Sequence, residues 1–497
     1  MEEKRSEQEL IRREKAENLK ALGIDPFGHS VKCSHNSVKV KEDFKNYTKE
    51  ELHEMENPPV VSLAGRLMTI RCKGKVSFAH IQDQYGQIQI YLRKDNMNEE
   101  EYDLFLKEDI GDIIYVEGNP MITNTGEFTI RVLKFEHLVK ALRPLPEKFH
   151  GLTDIEEIYR RRYVDLIMNE ESKNKLLLRS KMLFEIRKYL NDLGYIEVET
   201  PILTPILGGA NAKPFITHYN ALNVPYYLRI ATELYLKRCL VGGIEGVYEM
   251  GRIFRNEGMD TTHNPEFTSI EIYKAYSDLS GMMELNENMI KYLADTLLGT
   301  RVINYQGTEI NLDHFESKSM CEAIMDETGI DFTKDLSYAE ALELAKEHHL
   351  EVEAHHTGVG HIINLFFEKY CEDKLIQPTF IHSMPIEISP LAKKGKDPRF
   401  TERFELYING HEYANAFTEL NDPIDQKERF IKQLEEKNLG NDEASEMDID
   451  FVEALEYGMP PAGGIGIGID RLAMLFTDSV SIRDVLMFPQ MKPRRNN

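Results

Sequence analysis

No stretch of this 497-residue sequence approaches the roughly 18 consecutive apolar residues of a membrane-spanning helix, so no membrane association of that kind is expected. The opening residues, MEEKRSEQELIRREKAENLKALG, lack the apolar middle of a secretory signal and read instead as an exposed amphipathic helix. Cysteine is scarce. Cys33, Cys72, Cys239, Cys321 and Cys371 are scattered, odd in number and never in a CxxC pair, which argues against a disulfide framework or a zinc site and for a reducing cytoplasm. Basic residues are in deficit: 60 Lys plus Arg against 84 Asp plus Glu leave a net charge of −24, unlike a protein whose whole surface coats nucleic acid. The deficit reverses locally. Between Glu56 and Asp83 there is no acid, yet Arg66, Arg71, Lys73 and Lys75 fall there, which suits a docking face for a folded RNA. Internal repeats and low-complexity segments are also absent.

Hydrophobic residues at 41% and charged residues at 29% describe a soluble globular chain, long enough for two or three units with sizeable cores. After an N-terminal helical extension (1–56), residues 57–140 alternate as short strands: VVSLAGRLMTI, KVSFAHIQD, QIQIYLR, a helical NEEEYDLFLKED, then GDIIYVEG and EFTIRVLKF. Five strands with a helix between the third and fourth is the order of an OB barrel, a fold that stacks single-stranded bases on exposed aromatics. Phe78 reads either as such a stacking ring or as a core residue, with Gln89 on the neighbouring strand to read a base edge and Arg71 near the phosphates. Pro144, Pro146 and Gly151 mark a linker at 141–152. A larger domain (153–497) follows, with a helix-rich stretch at about 279–373 between two blocks that carry chemistry.

The first block is YEMGRIFRNEGMDTTHNPEFTSIEIYKAY. Its alternation describes two antiparallel strands on which odd-numbered positions share a face, bringing Arg255, Glu257, Phe267, Glu271 and Tyr273 together. Such a face makes a poor core, because buried charges must be paired, and a good site for a phosphorylated aromatic ligand with a cationic end. A solvated face with a surface salt bridge would also account for Arg255 and Glu257. In RFELYINGHEYANAFTELNDP, Asn409-Gly410 signals a tight hairpin in which Tyr407 faces Glu412, so that Glu405 and Glu412 are diagonal neighbours able to bind a hard cation such as Mg²⁺. Asn415, Phe417 and Glu419 have the opposite parity to Glu412, so a bulge is required if all converge. In PPAGGIGIGIDRLAMLF, alternating glycines leave room either for a flat ligand or for close helix packing, and Arg471 projects from the helix start.

Together these blocks resemble a known family. YIEVETPIL, FRNE with HNPEF, and GIGIGIDR resemble, in order, the three signature motifs of class II aminoacyl-tRNA synthetases, and the barrel resembles the anticodon-binding domain of the aspartate, asparagine and lysine subgroup. GGANAKPF, ATELYLKR, NPEFTSIEIY and NAFTELNDP look like its lysine-specific, bacterial-type members, and the resemblance covers essentially the whole chain. It implies an α+β chain: an OB barrel, then a six- or seven-stranded antiparallel sheet flanked by helices, working as a cytoplasmic homodimer through the YIEVETP segment. The implied activity joins L-lysine to the 3′ end of tRNA(Lys) at the expense of ATP, forming AMP and diphosphate.

Carried onto this chain, the resemblance implies that Arg255 holds the lysine carboxylate and α-phosphate and that Arg471 holds the γ-phosphate. Phe267 would stack under the adenine with Arg471 above it, and Glu257, His263 and Asn264 would complete the nucleotide site. Gly209 and Glu233 would take the α-amino group; Glu271, Tyr273 and Glu419 the ε-ammonium; Asn415 and Phe417 the stem; Glu405 and Glu412 magnesium. Rival readings are a sister enzyme for aspartate or asparagine, an RNA-binding relative without activity, and a paralogue that lysylates protein. Glu271 and Glu419, the intact arginines and acids, and the barrel argue against each in turn.

Overall fold

The computed structural model describes residues 5–146, 154–439 and 447–494, and the chain divides into two units, Met1–Gly151 and Leu152–Asn497. From residue 147 on, the expected linker lies outside the described residues.

In the first unit β1 (Val61–Lys73), β2 (Val76–Gln82), β3 (Gln87–Arg93), β4 (Ile113–Ile122) and β5 (Phe128–Val139) close into a barrel in the order β1-β2-β3-β5-β4. Closure leaves no free sheet edge. Strict alternation sends Ala79, Ile81, Ile88, Ile90 and Leu92 inward, where Tyr102 and Phe105 of the helix Glu99–Phe105 join them. The N-terminal helix Glu7–Ala21 begins at a Ser6–Glu9 capping box and is exposed on one side only. On the other, Ala16 and Leu19 are buried and Arg12 donates to the carbonyls of Ala141 and Ile110, each at 2.9 Å.

The second unit is built on an eight-stranded sheet in the order β14-β15-β16-β17-β18-β11-β10-β6. These strands are β6 (Ile196–Glu197), β10 (Gly246–Phe254), β11 (Glu266–Ala275), β14 (Glu316–Ser319), β15 (Thr379–His382), β16 (Arg403–Ile408), β17 (His411–Thr418) and β18 (Ala462–Gly468). The expected all-antiparallel sheet holds for the central pairs, but the outermost pairs, β6 with β10 and β14 with β15, are parallel, so the sheet is mixed. A separate sheet, β7 (Leu203–Thr204), β8 (Ile216–Tyr219) and β9 (Val224–Leu228), follows the motif at Tyr195. The helix-rich stretch also contains strands: the hairpin of β12 (Val302–Tyr305) with β13 (Thr308–Asn311), and β14.

One face of the large sheet is apolar. Ile270, Ile272, Ile465, Ile467, Phe404, Leu406 and Ala416 pack against the helices Glu170–Asp192, Leu279–Leu293 and Ile469–Phe476. The alternate residues of the same strands carry the polar groups, because strand side chains alternate between faces. Among the described residues no helix is long and apolar enough to cross a membrane, and all five cysteines are unpaired.

Candidate active site

The polar face of the sheet forms a cleft of about 490 Å³. Arg255, Glu257, His263, Asn264, Phe267, Glu271, Tyr273, Glu405, Glu412, Asn415, Phe417, Arg471, Gly209 and Glu233 all line it. On β11 the parity is as expected: Phe267, Glu271 and Tyr273 reach the cleft, while Ile270 and Ile272 are buried behind. Arg255 and Glu257 reach it differently. Their strand ends at Phe254, since Pro265 opposite Arg255 has no N–H to extend the ladder and the Asn256 N–H turns away to the Lys213 carbonyl at 2.7 Å. The Arg255 guanidinium lies 5.3 Å from the centre of the Phe267 ring, and its buried Nε has no hydrogen-bond partner among the described residues.

The loop between these strands is self-supporting. Asp260 accepts from the N–H groups of Thr262 and His263 and, at 2.8 Å, from His263 Nδ1; against the effect of burial, these bonds hold its carboxyl at about 2. Asn264 donates to the Glu266 carbonyl at 2.6 Å. Arg471 is set by its neighbour Asp470, which accepts the Thr268 N–H at 2.7 Å and pairs with Arg179, and by its own bond to the Glu412 carbonyl.

Asn409 and Gly410 have φ of 50° and 72°, the left-handed pair that a two-residue turn requires. Tyr407 then faces Glu412, but the register shifts, so that Leu406 pairs with Ala414 and Tyr413 is the extra residue. This bulge is what brings Glu412 to the same face as Asn415 and Phe417. Both oxygens of Glu405 are held, by Arg403 at 2.6 Å and by the Tyr407 hydroxyl at 2.7 Å, and Arg403 also donates to Asn415 at 3.0 Å. The Glu412 carboxylate makes no hydrogen bond or ion pair among the described residues. Burial, and then the Glu405 carboxylate, push it up to about 7. Two carboxylates side by side at the edge of a cleft fit a divalent cation that also takes oxygens from its ligand, and among the described residues no group of three or more could hold a metal alone.

At the other end, Glu271 accepts from the Thr232 N–H and from the Tyr273 hydroxyl, each at 2.9 Å, and burial followed by the Glu233 charge raises it to about 7. Glu419 is fully buried at 0% exposure, and burial raises it to about 8 against the pull of Lys237. Its Oε1 has no hydrogen-bond donor among the described residues. Its carboxylate lies over Gly464, a residue of the cleft lining whose cross-strand neighbours are Tyr273 and Phe417. A Cβ there would overlap the Glu419 carboxylate and stand 2.5 Å from Tyr273 Cε1, whereas at Gly466 it would meet nothing closer than Glu271 Cγ at 3.8 Å. Gly466 thus fits the open-space reading, whereas Gly464 is crowded by Glu419 and Tyr273 and not by a helix; the close helix approach falls at Gly463, where a Cβ would stand 2.8 Å from the Asp278 carbonyl oxygen and 2.9 Å from Met282 Cγ. Gly209, at φ +84°, allows its loop to pass over Glu233.

Sequence reasoning gave no site role to Arg403 or to Tyr407, noted only as facing Glu412, although both share the Glu405 face two residues either side, nor to Lys237, four residues after Glu233 on one helix and bonded to it at 2.6 Å. Those spacings were visible signals.

In the barrel, Phe78 is half-buried on the outer face, not in the core; it pairs with Arg71 on β1 and Tyr91 on β3, with ring centroids 5.0 Å apart in the latter pair. Gln89 faces His80, donates to Glu127 at 2.7 Å and accepts from Thr129 at 2.8 Å.

The family described as tRNA synthetases class II (D, K and N) matches residues 154–492, and an OB-fold nucleic acid binding domain matches residues 61–138. The chain belongs to the class II tRNA synthetases. Over 99% of both chains it is 58% identical to the lysine–tRNA ligases of Lactococcus lactis subsp. cremoris (strain MG1363) and Streptococcus gordonii. The same enzyme of Streptococcus pyogenes serotype M5 is 57% identical over the same share. Within this synthetase cleft Gly464→Ala tests the packing at the Glu419 end. Overpacking there is expected to cost about 1–3 kcal/mol and to fall on amino-acid binding, with the amino-acid KM rising roughly tenfold and the ATP KM within about twofold; pyrophosphate exchange at varied concentrations of each substrate measures both.

Proposed function

We propose that the cleft holds lysine at the end formed by Glu233, Glu271 and Glu419, with ATP along Phe267, Arg255 and Arg471, so that the lysine carboxylate meets the α-phosphate between them. The chain activates lysine with ATP and transfers it to tRNA, as a ligase of its family. One observation carries the assignment of lysine to that end: three buried or half-buried carboxylates meet there, one with an oxygen lacking any donor, while the guanidiniums lie at the nucleotide end. A pocket for aspartate or asparagine would need positive or amide groups around the side chain instead.

Adenylation requires the carboxylate in line with the α-phosphate while diphosphate leaves, so the work is positioning and charge neutralisation. Arg255 bridges carboxylate and α-phosphate, Arg471 takes the γ-phosphate, Phe267 supports the adenine, and Glu257, His263 and Asn264 close the nucleotide site. Gly209 and Glu233 take the α-ammonium, Tyr273 and Glu271 with Glu419 the ε-ammonium, and Asn415 and Phe417 the stem. Glu405 and Glu412 would hold Mg²⁺, which neutralises charge on the departing diphosphate. The terminal ribose hydroxyl of tRNA(Lys) then attacks the adenylate without a dedicated protein base.

Phe78, Arg71 and Gln89 form the anticodon contact, which the aromatic pair with Tyr91 and the acid-free stretch of β1 and β2 support. A homodimer is supported by the apolar surface at Phe184, Ile196, Ile202 and Leu203, exposed by 63%, 54%, 47% and 47%. The cytoplasm is the compartment this reading implies.

Glu419→Gln is expected to cost about 2–4 kcal/mol of lysine binding or transition-state stabilisation with little change for ATP, read from lysine-dependent pyrophosphate exchange. Exchange as fast with aspartate as with lysine in the wild type would overturn the amino-acid assignment. Glu412→Gln should lower adenylation roughly 100-fold, since each ~1.4 kcal/mol is tenfold, and leave the ATP-free melting temperature unchanged or slightly raised as two like charges stop repelling. Near-normal exchange at low magnesium would remove the metal role. Phe78→Ala should weaken tRNA binding by about 1–3 kcal/mol while tRNA-independent exchange stays intact; equal losses in both assays would exclude a stacking role.

A further inference from the structure

Lys237 stands beside this pocket, and the activity has not used its chemistry. It is fully buried at 0% exposure on the helix Glu233–Val241, and its ammonium lies between two carboxylates, bonded to Glu233 at 2.6 Å and ion-paired with Glu419. The aromatic rings of Phe417 and Phe451 complete its surroundings, at 5.2 and 6.0 Å from Nζ. The groups that titrate around it are Glu233 on its own helix, Glu271 and Tyr273 on β11, and Glu419 at the end of β17. The helix Ile449–Glu456 brings only the Phe451 ring, because Asp448 and Asp450 are paired with Arg238. A lone ammonium in such a place would be forced to lose its proton; between two carboxylates it stays charged, and its pKa is raised despite burial.

We propose that Lys237 is a positioning residue that serves as the internal cation of the lysine pocket, holding the Glu233 and Glu419 carboxylates in place and favouring the charged form of Glu419. Once lysine is bound and the three carboxylates are charged, one internal ammonium leaves an excess of two negative charges, which equals the two ammonium groups of free lysine. The α-ammonium and ε-ammonium each find an acid, the substrate carboxylate goes to Arg255, and no charge is buried unmatched. An amino acid with an uncharged side chain would leave one of the acids uncompensated, so Lys237 sets the number of positive charges the pocket requires. This inference rests on the lysine site proposed above.

Lys237→Met removes the charge at similar length. Without it Glu419 loses the cation that opposes its burial and retains its proton to higher pH, and because lysine needs it ionised, binding must recover as the pH rises. At pH 7 the lysine KM is expected to increase roughly tenfold or more, with the ATP KM within about twofold and the pH midpoint of lysine binding raised by about one unit or more. A purely structural role would not move that midpoint. Lys237→Arg keeps the charge at greater bulk and should keep the wild-type midpoint even where its lysine KM rises; it also decides the matter if Lys237→Met fails to fold. An unshifted midpoint in Lys237→Met, or a shifted one in Lys237→Arg, overturns the inference. Glu419→Gln in the same assay separates the two levels: if it leaves the lysine KM unchanged, the lysine site itself is wrong, whereas a raised KM there beside a normal Lys237→Met defeats only the role of Lys237.

Discussion

Burying a charge in protein costs several kcal/mol unless an opposite charge and hydrogen bonds meet it, and the second unit is arranged around that cost. Away from the cleft, Arg229 and Glu249 form a matched buried pair, Glu249 also accepting from Thr200. In the cleft such pairing does not close. Glu271, Glu412 and Glu419 are all raised well above the ordinary carboxylate range by burial, and Glu419 and Arg255 keep polar atoms without partners. Such unmatched groups mark a surface completed by a ligand, and their signs describe it: cationic where the acids gather, anionic where the guanidiniums do.

The sheet makes this possible by giving its two faces different tasks. Isoleucines on β11 and β18 bury one face against helices, which supplies the rigidity, and the intervening residues are freed for chemistry. Two small departures from regularity then refine the site. The bulge at Tyr413 turns Glu412 onto the face that Asn415 and Phe417 occupy. The missing side chain at Gly464 lets Glu419 and Tyr273 pack closely over the strand. Held from both sides by Arg403 and Tyr407, Glu405 is rigid, while Glu412 is left with its carboxylate unbonded, a division that suits one fixed and one adaptable cation ligand.

Much of this was legible in the sequence, because alternation, turn chemistry and motif order are local. Period-two patterning was enough for the five barrel strands, the Phe267–Tyr273 face and the Asn409-Gly410 turn, and the ordered motifs carried the family. Parity also stated the condition for a bulge, since Glu412 and Asn415 cannot share a face on a regular strand. What only the tertiary structure decided were relations between distant segments. The placement of Phe78 outside the barrel depends on which face closure turns inward. The end of β10 before Arg255 depends on Asn256 bonding to Lys213, 43 positions earlier in the chain. By spacing alone Lys237 is an ordinary helical partner for Glu233; only the fold brings Glu419, 182 positions further on, to its other side. A charge acquires its meaning from what surrounds it within a few ångströms, and that neighbourhood exists only once the chain has folded.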